Sequence, residues 1–439
     1  MSLTLPRTRA NWRVSTAFAL AAALACAATV AQTPPTSVPL TLERAVQAGA
    51  AQSRGLAAER AMTQSAREMA VAAGQLPDPV LKLGLNNLPL DGPDRFSITR
   101  DFMTMRAIGV MQEFTRADKR SARVVRAQRE VQAATIAEQQ TLAELQRDTA
   151  LAWLERSFQQ STREVLQAQQ AQAELQVQAA ETLYRSGRGM QTEVFMARVQ
   201  VEQLHDRILQ SDRQIAVAQT QLARWIGDAA SQPLAPRPAF VTPAWARTEA
   251  GELASHLARH PLIAAAVQQE ALAEADTQIA RAAKQSDWSA ELMLAQRGPA
   301  FSRMLSLNFS VPLQWDPKNR QDRELASRLA LLERTRARRE DMQRAHEAEV
   351  RTMQQERASH DERARRYDAV QLPLAEQRST AALTAYRSGS GTLPAVLEAR
   401  RNELELRLER LRIESDIARL WAQLTYLMPA DDAAARTTP

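Results

Sequence analysis

The chain has 439 residues, with only 13 glycines and 5% aromatic side chains. Ala, Gln, Arg, Leu and Glu dominate, and this composition is typical of long helices and argues against a compact mixed fold. The formal charge of +6 comes from 56 Lys and Arg against 50 Asp and Glu. Because the two signs alternate along the chain, they indicate solvated helix faces and argue against a nucleic-acid-binding protein.

Residues 1–31 have the pattern of a secretory signal peptide. The segment begins with basic residues, Arg7, Arg9 and Arg13, and an apolar run follows over Val14–Val30. Its end has the small-residue pattern of a cleavage site, Thr29-Val30-Ala31. The only cysteine, Cys26, lies inside this segment. It is either a lipidation site, although Ala23 replaces the favoured Leu, or an apolar residue removed with the signal.

No later stretch holds about 20 consecutive apolar residues, so no membrane-spanning helix is expected. An exported chain of this kind is periplasmic, secreted or an outer-membrane β-barrel.

The first half of the chain begins with a moderate helix, predicted over Leu42–Gln75. Alternating residues predict strands over Leu81–Asn86 and Met105–Phe114, around a turn at Pro89–Pro93. A helix without Gly or Pro follows over Asp118–Tyr184, about 100 Å long at 1.5 Å per residue.

The second half is predicted to repeat this order. A helix is predicted over Glu252–Lys284. Two strands follow, over Trp288–Leu294 and Ser306–Val311, around a turn at Gly298-Pro299. A long helix is then predicted over Lys318–Leu372, with a kink at Pro373. The last helix of each half carries apolar residues seven apart, which predicts lengthwise helix packing. These are Val194, Val201, Ile208, Ile215 and Leu222, and then Leu406, Ile413, Leu420 and Leu427.

One motif occurs once in each half, between the long helix and the last helix. The copies are Tyr184-Arg185-Ser186-Gly187-x-Gly189 and Tyr386-Arg387-Ser388-Gly389-x-Gly391, followed in register by Val194-x-x-Ala197-Arg198 and Val396-x-x-Ala399-Arg400. Gly109–Lys119 can likewise be laid over Asn308–Lys318. The pattern predicts a duplication. The chain is therefore predicted to consist of a first repeat over 32–231, a Pro-rich linker over 232–245, a second repeat over 246–429 and a tail over 430–439.

Four strands cannot close a barrel, and they leave open edges. Pooling of strands by several chains would close one, with Leu, Val, Phe and Trp facing lipid. The side chains expected to face the wet lumen are Lys82, Asn86, Ser306, Asn308 and Ser310. Trp288, Phe309 and Trp315 would then form an aromatic girdle, or alternatively be ordinary core residues.

These features resemble the TolC-like outer-membrane efflux channel family over essentially the whole mature chain. The most specific pieces are the paired motifs and the strand ending in Val311-Pro312-Leu313. Shorter pieces are similar to the heavy-metal cation-efflux branch, namely Leu76-Pro77-Asp78-Pro79, Gln112-Glu113-Phe114 and Asp118-Lys119-Arg120.

The resemblance implies a mainly α fold with a small β part. It also implies a homotrimer with a pooled barrel of twelve strands in the outer membrane and an α-helical tunnel through the periplasm. The channel would be a passive exit duct without catalysis or cofactor, and would dock on a periplasmic adaptor bound to an inner-membrane pump. The exported substrate, metal ions or organic compounds, stays open.

By the same resemblance, the paired motifs are the periplasmic tips that contact the adaptor. Gly187 and Gly389 would adopt a left-handed helix end, and Tyr184 and Tyr386 would pack across the tip. The acids Glu193 and Glu398 would line the closed aperture or be ordinary solvated carboxylates. A latch would pair them with tip arginines, namely Arg185, Arg188 and Arg387.

Other functions find little support. His256 and His260 are four apart, but Pro261 follows directly, so both are expected on exposed helix surface rather than at a metal site. No nucleophile elbow, phosphate loop or cysteine cluster occurs, so an enzyme is not expected. A periplasmic coiled-coil adaptor or scaffold is the alternative, although such a protein should carry a longer β region.

Overall fold

The computed structural model describes residues 38–247 and 250–429. The predicted signal peptide, Cys26 and the tail lie outside these ranges. In chain order the elements are α1 (Leu42–Gln52), α2 (Arg54–Ala72), β1 (Val80–Asn86), β2 (Met105–Phe114), α3 (Ala117–Arg185), α4 (Gln191–Ile226), α5 (Ala250–Leu257), α6 (Pro261–Ala282), β3 (Trp288–Gln296), β4 (Met304–Ser310), α7 (Gln321–Arg366), α8 (Leu372–Arg387) and α9 (Leu393–Thr425).

The longest helix, α3, has 69 residues and begins and ends within one residue of its predicted bounds. At 1.5 Å per residue it is about 100 Å long. It packs along α4 and α9, whose seven-residue stripes contribute buried residues. Those that are buried are Val194, Ile208 and Leu222 of α4, Ile413 and Leu420 of α9, and Leu427 just after α9. The predicted lengthwise helix packing is therefore confirmed.

The helix predicted over Leu42–Gln75 is wrong as a single element, because the chain is extended at Ser53 (ψ 115°). The Ser53 hydroxyl accepts a hydrogen bond from the Leu56 N–H at 3.1 Å, and so begins a second helix. Such a hydroxyl satisfies one of the free N–H groups at a helix start. The local cap thus overrides an apolar pattern that continues through it.

The helix predicted over Glu252–Lys284 is also interrupted, between Leu257 and Pro261. His260 has an extended backbone, and its Nδ1 accepts the Leu262 N–H at 3.2 Å. Pro261 has no N–H to donate and therefore suits the first position of α6. His256 lies in α5 and His260 caps α6, so the spacing of four residues does not place them on one helix.

The predicted interruption near Pro373 is confirmed, and it takes the form of one π-helical turn over Tyr367–Gln371. A proline inside a helix lacks one N–H, and its ring collides with the carbonyl of the preceding turn. The wider π turn just before Pro373 lets α8 continue from α7.

The four strands form one antiparallel sheet in the order β1-β2-β3-β4. The two predicted hairpins are therefore joined, through β2 and β3. In that pairing Gly109 lies opposite Met293, and a Cβ added at Gly109 would come within 2.8 Å of the Leu292 carbonyl oxygen. The absence of a side chain at Gly109 permits this close approach.

The largest buried cluster lies where the linker crosses the helices, around Trp153, Leu154 and Ile226. Leu40 pairs with Leu234 in a parallel bridge. The Trp153 indole N–H donates to the Leu40 carbonyl at 3.1 Å. As its prolines predict, the linker is not α-helical. Two of its carbonyl groups accept hydrogen bonds from helix side chains, Phe240 from the Arg357 guanidinium at 2.7 Å and Val241 from the Trp421 indole at 3.1 Å.

Candidate functional site

One face of the sheet is polar. The register aligns Lys82, Gly109, Met293 and Ser306 across the four strands. Since alternate residues of a strand share a face, the five predicted lumen residues all lie on this one. They are Lys82, Asn86, Ser306, Asn308 and Ser310. The Lys82 ammonium lies 2.7 Å from a carboxylate oxygen of Glu291 on the same face. The prediction omitted Glu291, although its alternation with apolar neighbours could have identified it.

The opposite face is apolar and exposed. Leu83 and Leu305 are 73% and 70% exposed. The other exposed apolar side chains of this face are Leu81, Leu85, Ile108, Val110, Leu292, Leu294, Leu307 and Phe309. A continuous exposed surface made of these apolar side chains is unusual for a protein in water and marks a contact with lipid or protein.

Aromatic side chains lie at the end of this apolar face that adjoins the helices. Phe114 stacks on Trp288 with ring centroids 4.3 Å apart, and Phe309 lies 6.3 Å from Trp288. Trp315 is 86% exposed. Their exposure argues against the alternative that these residues are ordinary core.

At the far end of the long helices, each YRSGxG motif forms the turn between two antiparallel helices. Gly187 and Gly389 have φ values of 73° and 78°, the left-handed conformation predicted for them. Gly391 is packed tightly, because an added Cβ would lie 2.9 Å from the Ala385 side chain. Glycine is favoured at both kinds of position because it has no Cβ.

The two tip tyrosines differ. Tyr386 packs against a buried cluster that includes Ala180, Val194 and Val396. Burial raises the pKa of the Tyr386 phenol, and the nearby Glu193 carboxylate raises it further. Tyr184 is exposed, so within one chain the expectation that both tyrosines pack across the tip is wrong for Tyr184.

The two candidate aperture acids have partners other than those expected. Glu193 accepts the Met190 N–H at 3.3 Å, and Glu398 forms an ion pair with Arg378 at 2.7 Å. The antiparallel packing of α8 and α9 places Arg378 beside Glu398. Within the described part of one chain, the tip arginines form no ion pair with either acid, so the predicted latch is wrong there. Those arginines are Arg185, Arg188 and Arg387.

His260 is not on an exposed surface as predicted. Its ring lies 4.4 Å from that of His346, which is buried and has Nδ1 3.2 Å from a carboxylate oxygen of Glu349. Burial, helped by the nearby His346 and Arg147, lowers the pKa of His260 to about 4. A neutral His260 is needed for its Nδ1 to accept the Leu262 N–H.

None of the helices formed by the described residues combines the length and the apolar character that a membrane span requires.

No family profile and no curated protein matches the sequence. Solved structures do match. The outer membrane protein VceC from Vibrio cholerae is 18% identical with a TM-score of 0.75, covering 88% of this chain and 96% of VceC. CusC is 15% identical with a TM-score of 0.75, covering 89% and 92%. The outer-membrane channel OprN is 19% identical with a TM-score of 0.68, covering 88% and 89%. The chain therefore has the fold of the TolC-like outer-membrane channels, as the sequence resemblance implied.

Proposed function

We propose that this protein is the outer-membrane channel of an efflux system. The observation that supports this most is the four-stranded sheet, with one polar face and one exposed apolar face. In a membrane the apolar face contacts lipid, and the face that carries Lys82 and Glu291 contacts water. VceC and OprN, which share the fold, are an outer membrane protein and an outer-membrane channel. No described feature favours a periplasmic scaffold instead.

The functional unit is a homotrimer. Strands β1 and β4 each have one unpaired edge in the single chain. Pairing of β4 with β1 of the next copy satisfies these backbone groups and closes a barrel of twelve strands. The long helices extend from this barrel into the periplasm and surround the path of the exported compound. The protein is then a passive duct without catalysis.

The adaptor of the export pump contacts the tips, at the two YRSGxG turns. The turns have the same backbone conformation but different side chains, since Arg188 and Met190 in one correspond to Ser390 and Thr392 in the other. Glu193 and Glu398 lie just past these turns and line the aperture. The short motifs that resemble the heavy-metal branch favour a heavy-metal cation as the exported compound.

Cell fractionation tests the location and the trimer. We expect the full-length protein in the outer-membrane fraction, running as a trimer on electrophoresis without heating and as a monomer after boiling. A soluble periplasmic monomer would contradict the proposal. Comparing the metal sensitivity and drug sensitivity of a deletion strain then identifies the exported class.

Exchanging residues 188–190 with residues 390–392 tests the role of the tips. Because the backbone turns are equivalent, we expect the trimer to form normally. Export should fall, since the adaptor meets the wrong side chains at each tip. Normal export by this variant would show that the adaptor does not distinguish the tips.

A further inference from the structure

The segment between β4 and α7 extends the apolar face of the sheet along the chain, past the last residue of β4, Ser310. Val311, Leu313 and Trp315 follow Phe309 at the same two-residue spacing and are 55%, 66% and 86% exposed. Between them, the Gln314 side chain is half-buried and donates to the Ala283 carbonyl at 3.2 Å. The segment is thus held against the end of α6, and its apolar side chains remain exposed.

Basic side chains follow Trp315 directly. Lys318, Arg320 and Arg323 are exposed, and none of them forms an ion pair with another described residue. The Arg323 Nε donates to the backbone carbonyl of Lys318 at 3.2 Å, which draws this turn together. The end of the apolar face is therefore bordered by three cations that no carboxylate neutralises.

The acids of the same segment have other partners. Asp316 accepts hydrogen bonds from the backbone and side-chain N–H groups of Asn319, at 3.2 and 2.9 Å. Asp322 forms an ion pair with Lys284 on α6 at 2.7 Å. Neither carboxylate is paired with the three cations.

The corresponding segment of the first half has no such surface. The alignment of the two halves lays Lys119 over Lys318. The Lys119 ammonium lies 2.7 Å from a carboxylate oxygen of Asp287, and its side chain is only 13% exposed. Arg116 pairs with Asp118 at 3.4 Å. Arg116 and Lys119 are thus neutralised within the chain in the first half. Lys318, the counterpart of Lys119, forms no ion pair with another described residue and remains available to a ligand.

We propose that Trp315, Lys318 and Arg320 form a binding surface for the headgroup phosphates of anionic phospholipids, at the membrane surface nearest the long helices. The inference rests on the proposed membrane location. Tryptophan is favoured at the boundary between hydrocarbon and water. An unpaired Lys or Arg beside that boundary attracts phosphate, and a guanidinium can donate two parallel hydrogen bonds to it.

Lipid titration of the purified full-length protein tests this surface. The protein in a neutral detergent is titrated with phosphatidylglycerol or with phosphatidylcholine, and bound lipid is counted by native mass spectrometry. For K318Q/R320Q we expect roughly tenfold weaker binding of phosphatidylglycerol, since each cation near an anionic lipid surface contributes measurably to the affinity. Binding of phosphatidylcholine should change less than twofold.

The matched control is R334Q/R338Q. It removes the same charge from exposed, unpaired arginines of α7, which lie about 20 Å further from the sheet at 1.5 Å per residue. We expect it to bind phosphatidylglycerol as the parent does. Equal weakening in both double variants, or none in K318Q/R320Q, would overturn the inference. Either result would leave the channel proposal intact, because that proposal is tested separately by the outer-membrane location and conductance of the parent protein.

Discussion

At the scale of single residues, the tips depend on glycines in the left-handed conformation. Three N–H groups close each turn, and in the second tip Gly389 donates to the Tyr386 carbonyl at 3.1 Å while Ser390 and Gly391 both donate to Ala385 at 2.9 Å. An L-residue with a Cβ rarely adopts the φ of 78° at Gly389. The motif alone therefore predicts this conformation.

For Gly389→Ala we expect a local loss of about 1–2 kcal/mol, the cost of a left-handed conformation for a residue with a Cβ. The amides of the second tip should exchange with deuterium roughly 5–30 times faster, because that free energy converts to such a factor. Hydrogen–deuterium exchange with mass spectrometry of the peptide that spans 383–393 measures it.

The control is Gly55→Ala, since Gly55 lies in the first turn of α2 and its added Cβ meets only ordinary contacts. Alanine favours a helix there, so exchange near residue 55 should not increase. Unchanged exchange at the tip of Gly389→Ala would show that the left-handed glycine is not required.

A second residue-scale prediction concerns pH at His260, whose neighbours are His346 and Glu349 on α7 and Glu144 and Arg147 on α3. The folded pKa of about 4 is below the usual value of 6.5, so the unfolded chain binds the proton more readily. The contribution of a neutral His260 to stability is therefore complete above pH 6.5. It is lost as the pH falls from 6.5 towards 4.

The variant His260→Asn keeps a capping acceptor for α6 but cannot be protonated. Between pH 7 and pH 4.5, we expect the parent to lose more unfolding free energy than the variant, by at most about 3 kcal/mol. Thermal unfolding followed by circular dichroism across this pH range measures the difference. Parallel pH profiles for the two proteins would contradict the assigned pKa.

At the scale of elements, the sequence predicts the long α3 and all four strands, because their periodic patterns are long and no proline or glycine interrupts α3. The breaks at Ser53 and His260 could not be predicted from periodicity. In both places one side-chain hydrogen bond to a backbone N–H begins a new helix. Such a bond depends on a backbone conformation that the apolar pattern does not specify.

The two faces of β4 provide an element-scale prediction. Leu307 lies on the exposed apolar face, and Ser306 lies next to it on the polar face. For Leu307→Lys we expect a sharp fall in the heat-resistant trimer of the outer membrane, since a cation on the lipid face of a barrel costs about 2–4 kcal/mol.

The matched variant Ser306→Lys places the same charge on the water-facing side of the same strand. It should assemble in nearly normal amounts, as judged by electrophoresis of unheated outer membranes. Equal assembly of both variants would exclude the assignment of the two faces.

At the scale of the whole molecule, the strand pairing was only partly predictable. The pattern indicates two hairpins, but the pairing of β2 with β3 brings together segments far apart in sequence. It depends on the close approach at Gly109. The candidate lumen residues were predictable because alternation places them on one face. The Arg378–Glu398 pair was not, since it depends on the alignment of two antiparallel helices.

The most direct test of the central claim is electrical recording from the purified full-length protein in a planar lipid bilayer. A water-filled barrel closed by three copies should produce discrete, uniform conductance steps, and the fraction eluting as a trimer should carry them. Deletion of residues 184–190 and 386–392 removes the tips, so closure at the tips cannot then explain a lack of conductance. If the trimer with this deletion inserts into the bilayer but conducts no ions, the account is contradicted.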